Sequence, residues 1–123
     1  MVLNLLDSSV WVALYLDFDS NHDKAIGIYE NIKGKIAITN LVMEEVVTVL
    51  TYKHSREQSD NFIKFIISNS DIDFIDYDFK NVLSFHLNHS HKISLTDSSL
   101  IFLSKKNNTK IYSFDKKLVS LSV

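Results

Sequence analysis

The sequence predicts an α/β fold in three layers, with a central, mostly parallel sheet of four or five strands held between two helical layers. Two observations predict it. Four short apolar runs, VLNLL at 2–6, KIAIT at 35–39, DIDFI at 71–75 and KIYSF at 110–114, are too short for helices and rich in Ile, Val, Phe or Tyr. Between them lie segments with helical spacing of apolar residues, so the strands are joined by helices. Such crossovers imply parallel pairing and a sheet covered on both faces, which explains why the strands are nearly continuous in apolar residues.

Taken in order, the first strand ends at Asp7 and leads into a helical pair, SSVWVALYL at 8–16 and a second helix over 21–32. The strand at 35–39 leads into helices over 41–52 and 57–68. In the first of these, Val42, Met43, Val46, Val47, Val49 and Leu50 form one broad apolar face, with Glu44, Thr48 and Thr51 opposite. The third strand is followed by helices over 79–88 and 97–106, and the fourth ends at Asp115. A chain of 123 residues is about one domain, 1–123, able to bury roughly two-thirds of its unfolded surface.

Composition removes several function classes. No apolar stretch approaches the roughly 18 residues of a membrane span, and the N-terminus has neither a basic leader nor a small-residue cleavage site, so a cytoplasmic protein is expected. Without cysteine there is no disulfide, thiolate zinc site or cysteine nucleophile, and any metal must be held by oxygen or imidazole. With Gly27 and Gly34 as its only glycines the chain builds no P-loop or GxGxxG turn. A net charge of −2 gives no global pull on nucleic acid, although Lys105, Lys106, Lys110, Lys116 and Lys117 gather near the C-terminus, where a solvated helix end is the better account of them.

Four acids, Asp7, Glu45, Asp97 and Asp115, sit at the edges of apolar segments where a fold can bring them together. Ligands of open parallel sheets collect beyond the carboxyl ends of the strands, the edge occupied by Asp7 and Asp115. Each of these two is also explained as a helix cap, and Asp97 as a first-turn acid behind Ser94 or Thr96. Glu45 is more informative. It projects between Val49 and Tyr52 on the flank of the apolar face, where an unpaired carboxylate is costly to desolvate unless a cation or donor meets it or it snorkels to solvent.

The segments LLDSSVWVALYLD, DSNHDKA, NLVMEEVVTVL, ISLTDSSLIFL and IYSFDKKL, in that order, resemble a PIN domain over nearly the whole chain. The resemblance implies a metal-dependent ribonuclease, most similar at this length to VapC toxins, with Asp7, Glu45, Asp97 and Asp115 as its acids. It implies Mg2+ or Mn2+ as cofactor, RNA as substrate, a small antitoxin partner that lays a helix across a groove, and a homodimer. Hard divalent cations prefer oxygen ligands, and two such ions can activate water for in-line attack on phosphorus. Ser9 and Ser113 are expected to hold the acids or metal-bound waters, Thr96 less so. Two positions depart from the pattern: Ser98 stands where alanine is usual, and Lys117 where many relatives carry a further acid.

Other assignments of the same residues remain open. His86, His89 and His91 form an H-x-x-H-x-H set, although His86 falls with Phe79, Val82 and Leu83 on an apolar side and His22 is expected to brace the first helix pair. Trp11 and Tyr15, one turn apart, fit either a partner groove or the core. A receiver-like domain would use Asp7 and Asp76 and leave Glu45 without a role. Housekeeping processing of ribosomal RNA, or a PIN-like module that only binds, would use the same fold.

Overall fold

The apolar runs pair side by side, as their composition requires. The computed structural model describes residues 2–89, 91–106 and 108–122. Its elements are β1 (Leu3–Leu6), α1 (Ser8–Tyr15), α2 (His22–Asn31), β2 (Lys35–Ile38), α3 (Asn40–Lys53), α4 (Arg56–Ser68), β3 (Ile72–Phe74), α5 (Phe79–Leu87), α6 (Leu95–Ser104), β4 (Thr109–Tyr112) and α7 (Lys116–Ser122). The four strands among the described residues form one sheet in the order β3-β2-β1-β4, and every pairing is parallel.

Leu5 of β1 is flanked by Ala37 of β2 and Ile111 of β4, so the two most buried strands, β1 and β2, lie at the centre of the sheet. Helices α1 to α4 pack on one another, and α5, α6 and α7 form a second group that reaches the sheet through β4. Trp11 and Phe62 meet edge to face at 5.6 Å between ring centres and join α1 to α4 inside the core. Burial of side chains of this size stabilises by about 1.5–3 kcal/mol each, which decides the helix positions more than their intrinsic propensities do.

Local chemistry fixes where the helices begin. Asp7, Thr39, Ser55, Asp78 and Ser94 each accept a backbone N–H at the start of α1, α3, α4, α5 and α6. Gly34 enters β2 with φ of 97°, and a Cβ there would stand 2.9 Å from the Val2 carbonyl oxygen, so the turn demands glycine. Asn4 is buried but fully used. Its amide donates to the Lys33 and Lys35 carbonyls at 2.9 and 3.0 Å and its oxygen accepts from the Tyr112 hydroxyl at 3.2 Å, which ties β1 to both neighbours.

Three details differ from the sequence expectation. Helix α7 has no counterpart there beyond the reading of Asp115 as a helix cap, because seven residues are too few to display a period and Leu118 is the one fully buried side chain of this helix. The strand expected over 71–75 shortens to three residues at the sheet edge, where Asp73 and Phe74 face water. Phe79 and Leu83, expected on an apolar side with Val82 and His86, are exposed, while Val82 is buried and Phe85 packs on the core.

Candidate active site

Strand β1 delivers Asp7 to the carboxyl edge of the sheet and α1 starts there. The Asp7 N–H donates to Tyr112 O at 3.0 Å, continuing the β1–β4 ladder by one residue. Its carboxylate is 4% exposed, caps α1 through Val10 N at 3.3 Å, and accepts from the Ser9 and Ser113 hydroxyls, each at 2.5 Å. Burial pushes the Asp7 carboxyl above the ordinary carboxylate range, with the two serine hydroxyls and the Val10 and Ser9 N–H groups pulling the other way. A helix cap has no need of that burial; an exposed aspartate would cap equally well.

Ser9 and Ser113 also link the pocket's backbone. Ser9 Oγ accepts from Phe114 N at 3.2 Å and Ser113 Oγ from Asp115 N at 2.9 Å. The two serines therefore hold Asp7 and fix the turn that carries Asp115. Asp115 is exposed and caps α7, its Oδ1 accepting from Lys117 N at 3.0 Å and Leu118 N at 3.4 Å. The Lys117 ammonium turns away to the Lys92 carbonyl at 3.4 Å.

Glu45 reaches the same edge from the second turn of α3, half-buried as its flank position requires, and Ser8 donates its hydroxyl to Glu45 Oε1. Ser8 is the site residue that sequence reasoning missed. Its one signal is its place in the first turn of α1, directly after the buried aspartate. Asp97 lies in the first turn of α6, with its N–H capped by Ser94 Oγ at 3.0 Å. Thr96 lines a shallow hollow with Glu45.

The electrostatics tie these side chains together. Asp97 is pushed up from the ordinary carboxylate range, first by burial and then by the negative charges of Asp115, Asp7 and Glu45, with Ser94 opposing. One carboxyl thus feels all three others, although they come from residues 7, 45 and 115. Among the described residues no three acidic or imidazole side chains are already closed into a metal-ligating group. The donor set nonetheless fits a hard divalent cation of the Mg2+ type, which is bound through one or two carboxylates, keeps several waters and leaves room for phosphate oxygens.

The histidines and aromatics take packing roles. His86 is half-buried with its Nδ1 2.5 Å from Ser98 Oγ, so Ser98, at a position where alanine is usual in the family pattern, joins α6 to α5. His89 packs on Phe85 at 4.4 Å between ring centres, and His22 donates to Ala13 O at 2.6 Å, bracing α2 on α1. Trp11 is fully buried, while Tyr15 lines a hollow with Tyr29 and Phe65, where burial and Tyr29 push its hydroxyl up to about 12. Asp76 follows edge strand β3 at the same carboxyl edge, but β2 stands between β3 and β1, the strand that carries Asp7. No helix among the described residues is long and apolar enough to cross a membrane.

Comparison with known proteins agrees with this architecture. VapC20 of Mycobacterium tuberculosis, described as a sarcin-ricin loop cleaving toxin, is similar in structure with a TM-score of 0.82 at 20% identity, over 95% of this chain and 93% of that one. PAE2754 from Pyrobaculum aerophilum gives a TM-score of 0.65 at 16% identity, over 98% of this chain and 85% of that one. No curated protein matches the chain by sequence. At these identities the two structures establish the fold alone. The PIN domain family model matches residues 5–122, nearly the entire sequence, and the chain therefore belongs to the PIN domain family.

Proposed function

We propose that this protein is a metal-dependent endoribonuclease, formed as one PIN unit over 1–123, and that it is the toxin of a VapBC-type toxin–antitoxin pair. The observation that carries the nuclease reading is the Asp97 carboxyl, which is half-buried and lies within the field of Asp7, Glu45 and Asp115 together. A group of like charges held partly out of water is an unfavourable arrangement unless a cation is part of the working state. Family membership and the likeness to VapC20 support the same reading.

In this reading Asp7, Glu45, Asp97 and Asp115 hold Mg2+ or Mn2+. When bound, the ion would polarise the phosphodiester and lower the pKa of a water. The chain's own residues prepare the place for it. Ser9 and Ser113 keep the Asp7 carboxylate in one orientation, Ser8 does the same for Glu45, and the Ser94 cap fixes the turn from which Asp97 projects. The cation offsets the burial that raises the proton affinity of Asp7, and the burial and neighbouring charges that raise that of Asp97, so its binding releases protons. The wider reading adds a small antitoxin protein, a homodimer and a cytoplasmic location.

The test is cleavage of a labelled single-stranded RNA by purified protein with Mg2+, with Mn2+ and with EDTA. Cleavage that needs the cation and falls at least about a hundredfold in Asp7→Asn supports the enzyme. Wild-type inactivity with both ions refutes it. Arrested growth on induced expression, relieved by a neighbouring gene for a small partner, tests the toxin role.

A further inference from the structure

Beside the acid pocket lies a second hollow of about 250 Å3, lined in part by Ser8 and Ser9, whose hydroxyls bond Glu45 and Asp7. Its apolar wall is made by Val12, Val49 and Phe114, and its polar lining adds Asp19, Asn21 and Lys53. That volume is at the small end of ligand clefts, which start near about 300 Å3, and suits one flat ring system rather than a larger ligand. Lys53 is exposed at the last turn of α3, so its ammonium is free to meet an anion at the rim.

Just outside the hollow, Phe18 and His54 stack with ring centres 6.1 Å apart and planes at 27°. They are the sequence neighbours of Asp19 and Lys53, which both line the hollow, so the backbone that carries the stack adjoins it. Phe18 is 66% exposed and contributes little to the core. The hollow on the other side of Glu45 is different. It carries Glu44 as well as Glu45, two threonines and no cation, so it repels a polyanion more than the Lys53 side does, where one lysine balances Asp19.

We propose that the Lys53 hollow and the Phe18–His54 stack together bind the nucleotides on one side of the cleaved phosphate of single-stranded RNA. One base enters against Phe114, Val12 and Val49 within reach of Asn21, Lys53 meets the adjoining phosphate, and the next base stacks on Phe18. Aromatic faces and a flanking cation are the means by which unpaired strands are held, and a duplex cannot present a splayed base to such a hollow. The proposal rests on the ribonuclease reading for the strand's central phosphate. It adds the direction in which the strand leaves the pocket and the residues that set base preference.

The experiment measures binding apart from cleavage. A fluorescein-labelled single-stranded octaribonucleotide of mixed sequence is titrated with the full-length Asp7→Asn protein in EDTA, and with the same protein carrying Lys53→Gln, Phe18→Ala or, as a control of equal charge change on α5, Lys80→Gln. Phe18→Ala is expected to weaken binding about fivefold or more. Lys53→Gln is expected to weaken it about threefold or more at low salt and to reduce the salt slope by about 0.7, the signature of one lost phosphate contact. Lys80→Gln should bind like its parent, and a hairpin duplex of equal length should compete poorly. If Lys53→Gln and Phe18→Ala bind as Lys80→Gln does, or if the parent binds no single strand, the proposal is overturned. Wild-type protein that cleaves RNA with Mg2+ while binding ignores Lys53 and Phe18 overturns the subsite alone. Binding that depends on both residues in a protein that cleaves nothing supports the subsite and removes the enzyme reading.

Discussion

Replacing Asp7 by asparagine separates a helix cap from a repelling charge. Asparagine keeps an oxygen for Val10 N and the Ser9 hydroxyl, and its amide can donate to Ser113 Oγ, which retains a lone pair while accepting from Asp115 N. What disappears is one buried negative charge. Burial holds the Asp7 carboxyl above its ordinary range despite four opposing hydrogen bonds, so in the folded protein the neutral form is favoured relative to water. A tenfold gain in proton affinity corresponds to about 1.4 kcal/mol at neutral pH. Relief of Asp97 adds to this, but Asp97 is half-buried and solvent screens much of that share. A gain of about 1 kcal/mol is therefore expected for metal-free Asp7→Asn, which raises Tm by about 3–5 °C in a domain of this size. Asp7→Ala, by contrast, removes the cap and strands the Ser9 and Ser113 hydroxyls and Val10 N, and should lower Tm by a similar or larger amount. Thermal melts in EDTA at pH 7.5 measure both. If Asp7→Asn melts as low as Asp7→Ala, the carboxylate is a structural cap and the repulsion argued for the pocket is wrong.

Three further outcomes follow from the same structure. Because the folded-state values of Asp7 and Asp97 lie above the unfolded ones, the folded chain binds more protons, and stability from these groups is full below about pH 4 and lost as pH rises through the folded values; the Tm advantage of Asp7→Asn should thus be near zero at pH 4 and widen toward pH 8. Mg2+ or Mn2+ at a hundred times its Kd at pH 8 should stabilise wild-type protein by about 2.7 kcal/mol, the same concentration should stabilise it less at pH 5, and calorimetry should detect proton release; an unchanged Tm in both ions would count against a cation site. Gly34→Ala should cost more than about 1 kcal/mol in denaturant unfolding, because φ of 97° and the Val2 carbonyl oxygen both reject a Cβ, whereas Gly27→Ala, with open space around it in α2, should not destabilise.

Much of the sheet is legible in the sequence because each central strand is buried on both faces and so is written as an unbroken apolar run. That rule weakens at the edges: β3, exposed on one side, keeps alternating acids, and the run over 71–75 overstates its length. The pairing of β1 with β4 puts Asp7 and Asp115 on one edge, as the strand-terminus pattern implies. Glu45 stands out by its awkward place on the flank of α3, a cost visible in the sequence. Its partner does not, because a hydroxyl in the first turn of α1 resembles any other polar helix start until α1 and α3 are packed together. The same limit hides the Ser98–His86 link and the exposure of Phe79 and Leu83, which depend on how α5 sits on α6. Short α7 leaves no periodic trace at all.

The bond from Ser113 to Asp7 spans 106 positions, and β4, which brings that hydroxyl, is the last strand in chain order among the described residues. A polypeptide still emerging from the ribosome, or one released early by a premature stop, has its first carboxylate but not the partner that seats it. The pocket is therefore assembled only after residue 113 has been made and brought back to β1, and any copy that stops short of it lacks the seat for Asp7.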